Sequence, residues 1–264
     1  MRDEFKDRLE QIAQRGATKA QPRRPAGPAS LSDLSGAVRT DGVLVIDRSL
    51  GDLTSEGELK SLLSRLAGAG RGATARDDVS DELGMLIESP EQALFFDTET
   101  TGLGGNMVFM LGVMRITGDD VRLIQVLARD YREEQELLAV WTEMLAGSGL
   151  LVSFNGKSFD MPVLRDRMSL HGMPRPEEPP HLDLLHPSRR RWKRVFPDCR
   201  LQTLEWKVCG RRRSGDIPGE EIPAAYHRFV RTGDASDMLT VFHHNALDLI
   251  TLADVALALA APPD

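Results

Sequence analysis

The middle of the chain alternates apolar and polar positions as strands do, and the last sixty residues switch to a helical period. Residues 93–100, ALFFDTET, run apolar into two acids and predict a first strand. Residues 107–117 and 121–129 predict two more, separated by the turn Gly118-Asp119-Asp120, and connections this short imply an antiparallel meander. Residues 132–146 predict a helix with Leu137, Leu138, Trp141 and Leu145 inward, and LLVSF at 150–154 predicts another strand. A helix between two strands implies a crossover back into the same sheet. A further helix follows the Gly156-Lys157 turn. From Leu201 to Ala260 the pattern is mostly helical, ending in a long apolar-periodic segment stopped by Pro262-Pro263. The order predicts an α/β fold, a mixed sheet flanked by helices.

The first 88 residues differ in character and predict an N-terminal extension. Residues 1–15 suggest a short charged helix, and 16–30, rich in Ala, Pro, Gly and Arg, a flexible tether. Residues 41–47, DGVLVID, suggest a short strand. Residues 55–67 suggest a helix with an apolar stripe of Leu59, Leu62, Leu63 and Leu66. The compact domain is expected over 89–260, with the extension partly docked on it and available to a protein partner.

Composition narrows the function classes. The 264-residue chain is 41% hydrophobic, enough for a sizeable core. No apolar run reaches membrane-spanning length, and the N-terminal stretch lacks the apolar segment of a secretory signal. Cys199 and Cys209 are the only cysteines, too few for a disulfide framework or a thiolate metal cage, so the expected compartment is a reduced cytoplasm. The net charge of −7 argues against a histone-like coat, but the positive charge is unevenly placed. Arg189, Arg190, Arg191, Lys193 and Arg194 crowd around Trp192, and Arg200, Lys207 and Arg211-Arg212-Arg213 follow. The cluster suits a phosphate track with Trp192 stacking on a base, and equally a solvated basic helix with Trp192 tucked inward.

Three acidic elements carry the candidate chemistry. Asp97 and Glu99 are spaced i, i+2 and point to the same strand face, where two like charges repel and burial is costly. A divalent cation relieves both. Asp160 follows the turn Asn155-Gly156-Lys157-Ser158 at the start of a helix, where a carboxylate also serves as a plain cap. On the last helix, His244 and Asp248 are i, i+4 neighbours on one face.

The stretches FFDTETTGL, VSFNGKSFDMPVL and FHHNALDLITLADV, taken in this order, resemble the DEDD superfamily of 3'-5' exonucleases, and most closely the RNase H-like domains of the bacterial YprB-like group. HLDLLHPSRRRWK, CRLQTLEWKVCG and DIPGEEIPAAYHRFVRTGD are also similar to that group, and the resemblance covers about 93–256. It implies an RNase H-like fold in which Asp97, Glu99, Asp160 and Asp248 hold two divalent ions, Mg²⁺ or Mn²⁺, for phosphodiester hydrolysis of DNA or RNA. It further implies single-stranded or frayed ends as substrate and nucleoside 5'-monophosphates as product. A histidine serves as general base in one form of the superfamily. Here His244 and His243 stand at the two relevant spacings before Asp248, so both are candidates, with His244 favoured by its helix face.

Thr98, Thr100 and Gly102 would present donors near the terminal nucleotide, Leu103 would wedge under its base, and Asn155 would order the turn or contact substrate. For Leu103 a turn-plus-core role is as good. Asp183 is a fifth acid that could orient a backbone turn or touch a metal-bound water, with a surface or capping role the better expectation. Two alternatives stand beside the exonuclease. One is structure-dependent endonucleolytic cleavage by the same site, and the other is a non-catalytic nucleic-acid-binding or scaffolding protein.

Overall fold

A computed structural model describes residues 31, 37–40, 42–53, 80–102, 107–118, 120–213 and 215–261. The expected helices at 1–15 and 55–67, the tether at 16–30 and Leu103 lie outside the described residues.

Seven strands form one sheet. They are β1 (Ala37–Thr40), β2 (Val43–Ser49), β3 (Ala93–Thr100), β4 (Val108–Thr117), β5 (Asp120–Leu127), β6 (Leu150–Ser153) and β7 (His181–Asp183), in the spatial order β1-β2-β5-β4-β3-β6-β7. The β3-β4-β5 meander is antiparallel, and β6 pairs parallel with β3 and β7 parallel with β6. The sheet is therefore mixed. It extends upstream of residue 89, because β2 pairs antiparallel with β5 and carries β1 on its outer edge.

The helices are α1 (Leu50–Leu53), α2 (Asp81–Glu88), α3 (Glu134–Ala146), α4 (Asp160–Leu170), α5 (Leu185–Trp192), α6 (Leu201–Lys207), α7 (Ile222–Thr232) and α8 (Ser236–Ala260). Helix α3 provides the crossover from β5 to β6 that the sequence order requires.

Strand alternation sorts the core into two layers. Leu94 and Phe96 of β3 pack with Leu138 and Trp141 of α3, Leu164 of α4 and Tyr226 of α7. Phe95, one residue out of phase, packs on the opposite layer with Leu204 of α6 and Leu249, Leu252 and Ala256 of α8. The central strand β4 is buried over Val108–Met114, as expected for a strand covered on both faces. Helix α8 is apolar nearly all round because the sheet, α6 and α7 surround it. Each fully buried Leu or Phe contributes on the order of 1.5–3 kcal/mol of transfer free energy. Among the described residues, no helix is long and apolar enough to cross a membrane.

Candidate active site

The parity that sends Phe95 toward α8 sends Asp97 and Glu99 the same way. At the end of β3 the apolar layer gives way to these two half-buried acids, and α8 meets them with Asn245 and Asp248. Asn245 is fully buried and donates from Nδ2 to Asp97 Oδ2 at 2.9 Å. Its room comes from the neighbouring strand. Asp97 pairs across the sheet with Gly112, and Gly112 with Gln125, so the three form one row. A Cβ on Gly112 would stand 2.0 Å from Asn245 Oδ1. The missing side chain is what lets the Asn245 amide lie over the strand. Gln125 Nε2 donates to Asn245 Oδ1 at 2.9 Å and to the Phe242 carbonyl at 2.8 Å, while Arg48 Nη2 donates to Gln125 Oε1 at 2.8 Å. A continuous polar line thus runs from Arg48 on β2 to Asp97.

Asp160 arrives from the other side of β3. Strand β6 ends at Ser153, and Asn155 takes a left-handed backbone (φ 67°), which Asn tolerates better than other side chains. Asp183 holds this turn. Its buried carboxylate accepts from the Asn155 amide at 2.7 Å, the Lys157 amide at 3.2 Å and the Leu185 amide at 3.0 Å. Asp183 therefore organises backbone from a buried position instead of capping at the surface. The turn delivers Asp160 to the first position of α4, where Oδ1 accepts from the Thr98 amide at 3.2 Å and from Thr98 Oγ1 at 2.5 Å.

Asp248 lies one turn beyond His244 on α8. Its Oδ2 is 3.3 Å from His244 Nε2, and its Oδ1 accepts from Arg213 Nη2. Arg213 also donates from Nε to Glu205 Oε2 at 2.5 Å and from Nη1 to Asp216 Oδ2 at 3.1 Å. Asp216 in turn meets His244 Nδ1 at 2.9 Å. His243 is rotated about 100° away around the helix and is half-buried.

The electrostatics join these elements into one site. Burial pushes the Asp97 carboxyl well above the usual range, and the charges of Asp248, Glu99 and Asp160 all push the same way, against the Asn245 bond. Burial raises Glu99 to about 8; the His244 charge opposes this, and the Asp248 and Asp160 charges add to it. Asp160 and Asp248 are also raised by burial, offset in part by the Thr98 bonds and by Arg213 and His244 respectively. For His244, burial disfavours the charged ring, but the Asp216 bond and the Asp248 and Glu99 charges outweigh it, and its pKa is raised. His243, lacking such a bond, is lowered by burial.

Among the described residues, no three His, Cys, Asp or Glu side chains close up tightly enough to grip a metal ion. Three of the acids have polar partners instead: Asn245 holds Asp97, Thr98 holds Asp160, and Arg213 with His244 holds Asp248. The donor set nevertheless suits a hard divalent cation. Burial raises all four carboxyls, the charges of Asp160 and Asp248 raise Asp97 and Glu99 further, and a cation relieves both effects.

The remaining sequence candidates are dispersed. Thr100 Oγ1 donates to the Gly102 carbonyl at 3.0 Å, and Gly102 has a positive φ (145°). Arg191 is turned inward, with Nη1 donating to the carbonyls of Ala258 at 2.7 Å and Ala261 at 2.8 Å, where it closes the end of α8. Trp192 is half-buried and stacks on Phe196. Arg189, Arg190 and Lys193 remain exposed. Asp216 and Gln125 stand outside the sequence candidates, and Arg213 figures there only as part of a basic run. Asp216 stands in a recognisable segment, DIPGEEIP, but its partner His244 is 28 positions away, and nothing local announces the contact.

The family model for RNase_H_2, of the RNase_H superfamily, matches residues 94–260, which is more than half of the chain. The chain belongs to this superfamily, and the mixed sheet with its flanking helices agrees. It is 38% identical over 165 residues to "Uncharacterized protein YprB" of Bacillus subtilis (strain 168), a match covering 60% of this chain and 39% of that protein. The chain thus spans well under half of that relative's length. Among solved structures, the family B DNA polymerase from the hyperthermophilic archaeon Pyrobaculum calidifontis matches with a TM-score of 0.48 and 16% identity, over 64% of this chain and 27% of the polymerase.

Proposed function

We propose that this protein is a metal-dependent 3'-5' exonuclease that hydrolyses phosphodiester bonds at single-stranded or frayed ends of DNA or RNA and releases nucleoside 5'-monophosphates. One observation carries the reading. Four carboxylates from three separate elements meet beside His244, where the charges of Asp160 of α4 and Asp248 of α8 both raise the pKa of Asp97 and of Glu99 on β3. Membership of the RNase H superfamily supports the same class of chemistry.

The four carboxylates would hold Mg²⁺ or Mn²⁺, which supplies Lewis acidity at the phosphodiester and acidifies water. The chain's own residues supply the rest. Asn245 and Thr98 fix the orientation of Asp97 and Asp160. His244 presents Nε2 beside Asp248 as the group that accepts a proton, and the bond its Nδ1 donates to Asp216 favours His244 over His243 for this role. The exposed Arg189, Arg190 and Lys193 offer phosphate contacts without base specificity.

The test is cleavage of 5'-labelled single-stranded DNA and RNA of the same sequence, with Mg²⁺, Mn²⁺ or EDTA, and with Asp97→Asn as control. The expected result is a ladder from the 3' end that needs metal and vanishes in the variant. Cleavage that persists on a 3'-blocked strand would replace exonuclease with endonuclease. Binding without any cleavage would favour a scaffolding role.

A further inference from the structure

Asp216 lies in the connection between α6 and α7, outside all three acidic elements, and its side chain is only 9% exposed. Both of its oxygens face His244 Nδ1, at 3.0 and 2.9 Å. Two further donors pin it, the Ile217 amide on Oδ1 at 3.0 Å and Arg213 Nη1 on Oδ2 at 3.1 Å. An ionised carboxylate only accepts, so the hydrogen bond requires the proton on Nδ1. The opposite nitrogen, Nε2, then points at the recess, 3.3 Å from Asp248 Oδ2.

We propose that Asp216 is a positioning residue that locks His244 in the Nδ1–H tautomer, with Nε2 turned toward the four carboxylates. The purpose of this arrangement rests on the nuclease reading, but the arrangement itself does not. In hydrolysis, a new P–O bond forms to water and the bond to the leaving 3' oxygen breaks, that oxygen departing with the electron pair. The water proton passes to Nε2. Without the Asp216 acceptor the ring would be free to carry its neutral-state proton on Nε2, where it could donate but not accept. Arg213 couples the parts, since one guanidinium holds both Asp216 and Asp248 and so sets the ring's two neighbours relative to each other.

The decisive measurement is a long-range ¹H–¹⁵N correlation spectrum of the full chain without metal, at a pH high enough that the ring is neutral. The spectra would be taken for wild type, Asp216→Asn and Asp216→Glu, with His243→Gln and His244→Gln to assign those two rings among the six histidines. The expected wild-type His244 pattern has a protonated Nδ1 and an unprotonated Nε2. Asp216→Asn, whose amide can also donate to Nδ1, should shift population to the other tautomer, and Asp216→Glu should restore the first. Wild type already in the Nε2–H form would overturn the proposal even if neither variant folded. So would a folded Asp216→Asn with an unchanged His244 pattern.

On a cleavable strand, Asp216→Asn should lower kcat by about 100-fold, with KM changed by less than about twofold. An inactive wild type would sink the nuclease reading while the spectra still decided the tautomer. An active wild type with an unaltered Asp216→Asn spectrum would sink the positioning role alone.

Discussion

Gly112→Ala is the smallest change that should disable the site without touching a charged group. Gly112 sits mid-strand with no positive φ, so alanine suits its backbone. Judged on chain entropy alone, the substitution should stabilise by about 0.4–1 kcal/mol. The packing predicts the opposite sign. The new Cβ would lie 2.0 Å from Asn245 Oδ1 and 2.6 Å from its Cγ, so the amide must move by more than an ångström. Asn245 is fully buried, and its helix is anchored by Leu249 and Leu252. Movement therefore breaks the 2.9 Å bonds to Asp97 and to Gln125.

Overpacking costs about 1–3 kcal/mol, and a stranded buried hydrogen-bonding group costs about 1–3 kcal/mol more. Net of the backbone gain, Gly112→Ala should destabilise by about 1–6 kcal/mol. It should also weaken metal binding, because Asp97 loses its orienting donor. Urea unfolding of the metal-free protein, with the denaturant slope checked for constancy, reads the first effect. A Gly112→Ala protein as stable as wild type or more so would refute the close-packed Asp97–Asn245–Gln125 row.

Other consequences can be checked separately. Glu134 is buried and accepts from the Val108 amide at 2.8 Å, from Arg167 and from His171, so Glu134→Ala should cost about 3–5 kcal/mol by equilibrium unfolding. Burial opposes the Glu134 charge, but the Arg167, His171 and Val108 bonds prevail, and its folded pKa is lowered. Its stabilisation is therefore present above the unfolded carboxyl range and lost as pH falls through the folded value. Glu134→Gln should flatten the acid limb of a stability-versus-pH curve, and an unchanged limb would show the cluster to be inert. Asp97→Asn removes a charge that burial and three neighbouring acids disfavour, so the metal-free variant should melt at or above the wild-type temperature while losing any Mg²⁺-induced rise. Gly156→Ala would put a Cβ 2.3 Å from Ser153 Oγ and 3.3 Å from Asp160 Oδ2, and it should lower activity through a displaced Asp160. Full activity in that variant would show that the turn adapts.

What was legible in the sequence was whatever a short period encodes. Alternation fixes Asp97 and Glu99 on one face of β3, and the i, i+4 spacing fixes His244 beside Asp248, as observed. The meander and crossover followed from connection length. Long-range partners were not legible. The Arg213 contacts to Glu205 and Asp248 join three segments, and nothing local in the linear chain pairs that arginine with either acid. Arg191 read as a phosphate contact because its run is basic, yet its guanidinium meets carbonyls 67 and 70 positions away. Strand β1 and the three-residue β7 are too short to carry a period, and only pairing with a neighbour reveals them. Nothing in the linear chain sets Gly112 apart, because its contact with Asn245 comes from the helix packed above the strand.

The central claim is that Asp97, Glu99, Asp160 and Asp248 form one cation site. Calorimetric titration of Mn²⁺ into the metal-free wild type and into Asp97→Asn and Asp248→Asn tests it most directly. About two ions should bind per wild-type chain, with loss of at least one in each variant. Equal stoichiometry and affinity in all three proteins would contradict it.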